Sequence, residues 1–127
     1  MKTRKINAED ALQTSGYYAQ AVEVSRADRL LFISGQIPES VDGAVPDGFE
    51  AQCRQVWANI EAVLAEAGLS LDHLVKVTTF LTSRDQAETN GRTRRAVLGE
   101  RRPALTVMVA QTLESRWLLE IEAVAAA

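Results

Sequence analysis

A chain of 127 residues, 46% apolar and 24% charged, is long enough for one domain with a core, yet short enough to leave much surface uncovered as a monomer. Its net charge of −3 and pI near 5.2 argue against nucleic-acid binding, which rests on many Lys and Arg side chains neutralising phosphates. The lone Cys53 rules out an internal disulfide and fits a reducing compartment. The segment from Met1 to Asp10 carries Lys2, Arg4, Lys5 and Glu9 where a signal peptide would be apolar, and no apolar run reaches membrane length, so a cytoplasmic protein without membrane contact is expected.

In chain order, a weakly patterned strand at residues 2–6 is followed by strands over 19–24 and 30–35. Arg26-Ala27-Asp28 between the latter two predicts a hairpin, and residues 37–43 read as loop. A helix is predicted from Gly48 to Ala67, because Phe49, Cys53, Val56, Trp57, Ile60, Val63 and Leu64 recur at steps of three and four. Asp47 and Glu50 have capping-box spacing at its start, and Gly68 stands where a left-handed residue ends a helix. Residues 74–81 are β-branched and aromatic and predict a strand. Ser83 with Gln86 caps a second helix over 85–98, whose thin apolar stripe (Ala87, Val97, Leu98) is shared with Asn90 and Arg94. Pro103 closes the next loop. Strands over 105–110 and 117–125 end the chain, and the short connection at 112–116 favours their antiparallel pairing. The basic cluster Arg92, Arg94, Arg95, Arg101 and Arg102 reads as a solvated helix face.

This order predicts a single α+β domain over residues 1–127, with two helices on one face of a mixed sheet. Lys76 with Thr78, and Glu120 with Glu122, make the other face only partly apolar, as an oligomer interface or a wet central cavity requires.

Chemistry-bearing residues are few. His73 is alone, so no metal cluster is expected; it reads as a surface residue. Neither a phosphate-binding glycine loop nor a nucleophile elbow is present. Ser34-Gly35-Gln36 at a strand end lets backbone approach a ligand, or is a plain bulge. Strand parity puts Glu120 and Glu122 on one face, where two like charges call for a nearby cation or shared proton; Glu120 is either a carboxylate that activates water or a solvent-facing acid. Tyr17 and Tyr18 face opposite ways, Trp57 and Trp117 read as core, and Asn90 reads as a buried amide tying down a loop.

Several of these pieces are placed as in one known family. Tyr18-Ala19-Gln20-Ala21, Leu31-Phe32-Ile33-Ser34-Gly35-Gln36-Ile37-Pro38, Gln52 with Asn59-Ile60, Ala67-Gly68-Leu69-Ser70, Val75-Lys76-Val77-Thr78, Asn90, Pro103-Ala104 and Glu120-Ile121-Glu122-Ala123-Val124-Ala125 together resemble the RidA family, also called YjgF or L-PSP, across nearly the whole chain. The resemblance implies a chorismate-mutase-like fold, a homotrimer with a barrel-like core, and small-molecule clefts between subunits. It also implies hydrolysis of enamines and imines such as 2-aminoacrylate, without metal or cofactor. A glutamate matching Glu120 would position water, residues matching Tyr18, Ser34, Gly35 and Asn90 would line or brace the pocket, and a Pro-Ala-Arg arginine would grip the substrate carboxylate. Here the motif reads Pro103-Ala104-Leu105, and Val107 stands where the family commonly has cysteine. Leucine offers neither charge nor donor. Three readings follow: a trimeric pocket protein that is not an efficient 2-imino-acid deaminase, a deaminase that recruits Arg102, Arg94 or Arg116 instead, or a non-enzymatic, chaperone-like or ribonucleolytic protein.

Overall fold

The computed structural model describes residues 1–127. The chain forms six strands, β1 (Lys2–Ile6), β2 (Ala21–Ser25), β3 (Leu30–Gln36), β4 (Leu74–Leu81), β5 (Ala104–Val109) and β6 (Leu119–Ala126), and two helices, α1 (Phe49–Glu66) and α2 (Ala87–Leu98). Short 3-10 turns at Leu71–His73 and Arg84–Gln86 lead into β4 and α2. The main sheet is mixed, in the order β3-β6-β4-β5, with β4 and β5 parallel and the other pairs antiparallel. β1 and β2 form a separate antiparallel pair, in register from Lys2 opposite Ser25 to Ile6 opposite Ala21.

Two predicted pairings do not form. β2 and β3 are not a hairpin: Arg26 takes a left-handed φ of 56°, and the amides of Asp28 and Arg29 both donate to the Ala127 carbonyl at 2.9 Å. The chain is thereby steered to the end of β6, the strand whose Ala123 and Ala125 let Leu31 and Ile33 of β3 reach the core. Nor do β5 and β6 pair, although their connection is short. β4 lies between them, and residues 110–118 need span only two strand spacings, about 10 Å. β4 takes the inner place because it is apolar on its helix side and half-buried on the other.

α1 buries Cys53, Val56, Trp57, Ile60 and Leu64 on the predicted stripe. Its start differs from the prediction. Gly48, at φ 86°, is the N-cap and no side chain caps the helix, so Asp47 and Glu50 form no capping box. The buried Gln52 ties this end down instead: its Nε2 donates to the carbonyls of Pro46 and Arg116, each at 3.0 Å, and its Oε1 accepts the Leu118 amide at 2.9 Å. At the other end Gly68, at φ 73°, donates to Ala65 O while Leu69 donates to Leu64 O, a Schellman closure. The box at Ser83 and Gln86 forms as predicted. One core joins the helices to Val77 and Leu81 of β4 and Leu119, Ile121, Ala123 and Ala125 of β6, so both helices cover a single face of the sheet. No helix is long and apolar enough to cross a membrane.

Candidate functional site

On β6 the buried residues Leu119, Ile121 and Ala123 alternate with Glu120, Glu122 and Val124, which face away from the helices. Glu120 lies opposite Phe80 of β4 and directly beneath the irregularity in β3 between Ile33 and Gln36. Gly35 occupies that irregularity. A Cβ built on it would lie 1.8 Å from Glu120 Oε2 and 2.7 Å from Cδ, so glycine is what gives the carboxylate its place. Exposed Ser34 presents its carbonyl to Gln36 Nε2 at 3.0 Å. Lys76 is a cation on this face; it feels Glu122 but makes no ion pair with Glu122 or Glu120. Its Nζ donates to Thr106 Oγ1 at 2.7 Å, and burial pushes its pKa below the usual lysine value, against the opposing influence of Glu122.

Leu105 and Val107 belong to the other face. Leu105 is opposite Val77 and Val107 opposite Thr79, both on the helix side of β4, and Leu105 packs against the core. Ala19 bridges to Ala104, which brings Tyr18 to the start of β5. Tyr18 is half-buried while Tyr17 is exposed beneath the guanidinium of Arg95, 4.7 Å from its ring centre.

Asn90, Thr93 and Arg94 of α2 are all buried. Asn90 does not tie down a loop: its one hydrogen-bond contact is a long one, from Cys53 Sγ to Oδ1 at 4.0 Å. The loop is held by Asn59, whose Nδ2 donates to Ile37 O and Glu39 O at 3.0 Å each; Asn59 sits on the flank of α1, where it reaches that loop and Asn90 does not. Thr93 lies against the Cys53 thiol, and this contact works against the upward push of burial on that thiol.

The basic cluster is not one solvated face. Arg101 pairs with Asp72 at 2.7 Å. Arg102 donates to the carbonyls of Gly16, Gly99 and Arg101. Arg94 is only 9% exposed, because its α2 position turns it inward beside Asn90. Outside the cluster, Arg116 contacts Glu39 and Glu114. Of the three arginines weighed as substitutes for the missing one, Arg94 alone makes neither an ion pair nor a side-chain hydrogen bond. Burial and neighbouring Arg95 push its pKa below the usual arginine value, while Tyr18 and Cys53 act the other way. His73 also has a local role that composition does not reveal: its Nδ1 accepts the Ser70 amide at 3.0 Å.

The expected site residues therefore fall into two groups on opposite faces of one sheet: Glu120, Gly35 and Ser34 on one, and Leu105, Val107, Tyr18 and Asn90 on the other. A side chain on one face cannot reach across the sheet to the other, so a cleft that used both groups would need a second copy of the chain.

Comparison with known proteins agrees with the fold. The model of the family described as endoribonuclease L-PSP matches residues 8–127. A RutC family protein of Pyrococcus horikoshii is 36% identical over 126 residues, covering 94% of each chain. The 2-iminobutanoate/2-iminopropanoate deaminase of Salmonella typhimurium is 32% identical over 127 residues, covering 97% of each. The crystal structure of YyfB of Yersinia pestis, a protein of unknown function of the conserved Rid family, superposes with a TM-score of 0.87 at 28% identity over the whole of both chains. With a family model spanning nearly all of it and an α+β fold shared with Rid proteins, the chain belongs to the RidA/YjgF/L-PSP family.

Proposed function

We propose that this protein is a cytoplasmic homotrimer that binds a small organic molecule in clefts between subunits, and that it is not an efficient 2-imino-acid deaminase. The observation that carries the reading is Leu105, an aliphatic side chain packed against the core where the resemblance calls for an arginine. Two parallel bonds from arginine to a carboxylate contribute about 1.5–3 kcal/mol each. With about 1.4 kcal/mol for each factor of ten, losing that clamp slows turnover roughly 100-fold or more. The division of Glu120 and Leu105 between two faces supports a cleft shared by subunits, with Glu120 of one copy as the water-positioning group against Tyr18, Asn90 and Leu105 of the next. The net charge of −3 disfavours a ribonuclease.

The test is release of ammonia from 2-aminoacrylate generated by a serine or threonine dehydratase. The wild-type chain is expected to work roughly 100-fold or more below an arginine-bearing relative, as the lost clamp implies, and Leu105→Arg to recover part of the difference. Wild-type turnover at the relative's rate would overturn the proposal.

A further inference from the structure

The β1–β2 ribbon gathers positive charge on an acidic chain. Residues 1–6 and 21–26 hold four cations, Lys2, Arg4, Lys5 and Arg26, against the single acid Glu23, a net of +3; the whole chain is −3, so the remainder carries −6. Against the ribbon lies a hollow of about 680 Å³, walled by Lys2, Thr3, Arg4, Glu23, Ser25 and Arg26, with Met1 as its one apolar side chain. Arg4 is paired with Glu23 at 3.3 Å, whereas Lys2 and Arg26 make no ion pair and donate no side-chain hydrogen bond. Arg26 is also the only residue besides glycine with a left-handed backbone, at φ 56°. The turn into β3 needs that conformation, but nothing in the turn needs an arginine, and glycine would adopt it without steric cost. Strained residues of this kind collect at ligand clamps. None of the hollow's walls belongs to the two groups around Glu120 and Leu105.

We propose that this hollow is a second binding site, and that it takes a small phosphorylated sugar or polyol whose phosphate is held by Arg26 and Lys2. The site is separate from the cleft between subunits and does not depend on it. Two free cations beside the hydroxyls of Thr3 and Ser25 match a phosphate, which carries about two negative charges and three acceptor oxygens. The Glu23 carboxylate and the same hydroxyls bond to hydroxyl groups of the ligand body. With no aromatic ring and one apolar side chain in its walls, the hollow gives an aliphatic chain or a nucleobase nothing to pack on. A long polyanion, whether a nucleic-acid strand or an anionic membrane, would extend past the ribbon onto a body of opposite balance, at −6. The repulsion acts over a Debye length of about 10 Å at 0.1 M salt. A ligand that ends within the hollow meets the ribbon's field and avoids most of that repulsion.

The probes are ribose 5-phosphate and glycerol 3-phosphate, each compared with its unphosphorylated parent, titrated by calorimetry and NMR into the full chain and its Arg26→Gly, Arg26→Lys and Lys2→Gln variants. The phosphates are expected to bind roughly tenfold or more tightly than the parents, with amide shifts confined to β1 and β2 and an affinity that falls as salt rises. Arg26→Gly and Lys2→Gln should each weaken phosphate binding roughly tenfold, and Arg26→Lys should keep part of it. Arg26→Gly should not lower the melting temperature, because glycine fits the backbone there. Equal binding of phosphate and parent, no binding of either phosphate, unchanged affinity in Arg26→Gly, or shifts centred on Glu120 and Leu105 would overturn the proposal. So would a lower melting temperature in Arg26→Gly, which would make the arginine a structural residue. Vesicles of phosphatidylcholine with phosphatidic acid, and an oligouridylate, test the larger sources of phosphate; tighter binding of either than of ribose 5-phosphate would overturn it too. The 2-aminoacrylate assay reads the cleft and not this hollow, so the two proposals fail separately.

Discussion

Gly35 and Glu120 are coupled by volume. Gly35 lies outside the left-handed region, so backbone preference does not demand glycine there; the overlap of a Cβ with the Glu120 carboxylate does. Gly35→Ala is therefore expected to cost about 1–3 kcal/mol with Glu120 present, the usual range for overpacking. In a Glu120→Ala background it should cost nothing, or stabilise by up to about 1 kcal/mol through the unfolded chain. Urea denaturation of the four proteins measures the coupling, and equal costs in both backgrounds would show that the carboxylate does not depend on this glycine. Cys53 poses a residue-scale question of a different kind. Burial pushes its thiol from the ordinary 9.0 up to about 11, so the folded chain holds that proton more tightly than the unfolded one. The contribution is complete below pH 9 and is lost as pH rises through 11, amounting to about 2–3 kcal/mol. Between pH 8 and about pH 11 the wild type should lose that much more stability than Cys53→Ala; parallel losses would contradict it.

Caps and ties decide how the elements meet. Ser83 accepts the Asp85 amide at 3.2 Å, so Ser83→Ala should cost about 1 kcal/mol. Asp47 caps nothing, and Asp47→Ala should cost under about 0.5 kcal/mol, as a surface substitution does. Gln52→Ala strips partners from the Leu118 amide and two carbonyls and should cost about 2–3 kcal/mol. Thermal melts of the three variants rank them, and a large loss at Asp47 would contradict the bare N-cap. Both helices, all six strands, the Gly68 stop and the Ser83 cap were readable because periodicity and local hydrogen bonding are short-range. Asp47 and Ser83 carry equally good spacing, and only one of them caps, since Gly48 bends the chain away. Strand partners were not readable, because which strand lies beside β3 depends on β6, nearly ninety positions later. In the candidate site, parity separated Glu120 from Leu119 and Ile121 correctly. It could not tell that Arg94 turns inward while Arg92 and Arg95 stay in solvent, which depends on how α2 seats on α1.

For the whole molecule, one chain leaves too much open. β3 and β5 are edge strands of the main sheet, Leu30 and Phe32 on β3 are 58% and 74% exposed, and Val107, Met108 and Val109 on β5 are each more than 40% exposed. Apolar edges of this kind invite pairing with another chain. The face away from the helices forms a shallow hollow lined by Phe32, Lys76, Thr78, Glu122 and Val124, a mix of apolar and charged groups suited to a partner with a matching surface. Burying each Phe32 contributes about 1.5–3 kcal/mol, once per subunit, and an aspartate there adds the cost of an unpaired buried charge. For the proposed trimer, Phe32→Asp should therefore reduce the mass seen by light scattering from three times 13.9 kDa to a single chain. Leu113→Asp is the control: Leu113 is 95% exposed but stands alone in the connection between β5 and β6, and its substitution should leave the mass unchanged. Because Glu120 and Leu105 lie on opposite faces of the sheet, dissociation by Phe32→Asp should also abolish ligand binding in the proposed cleft while both residues remain. A monomeric wild type, or a monomeric variant that binds as well as the wild type, would show that the cleft does not need a second subunit.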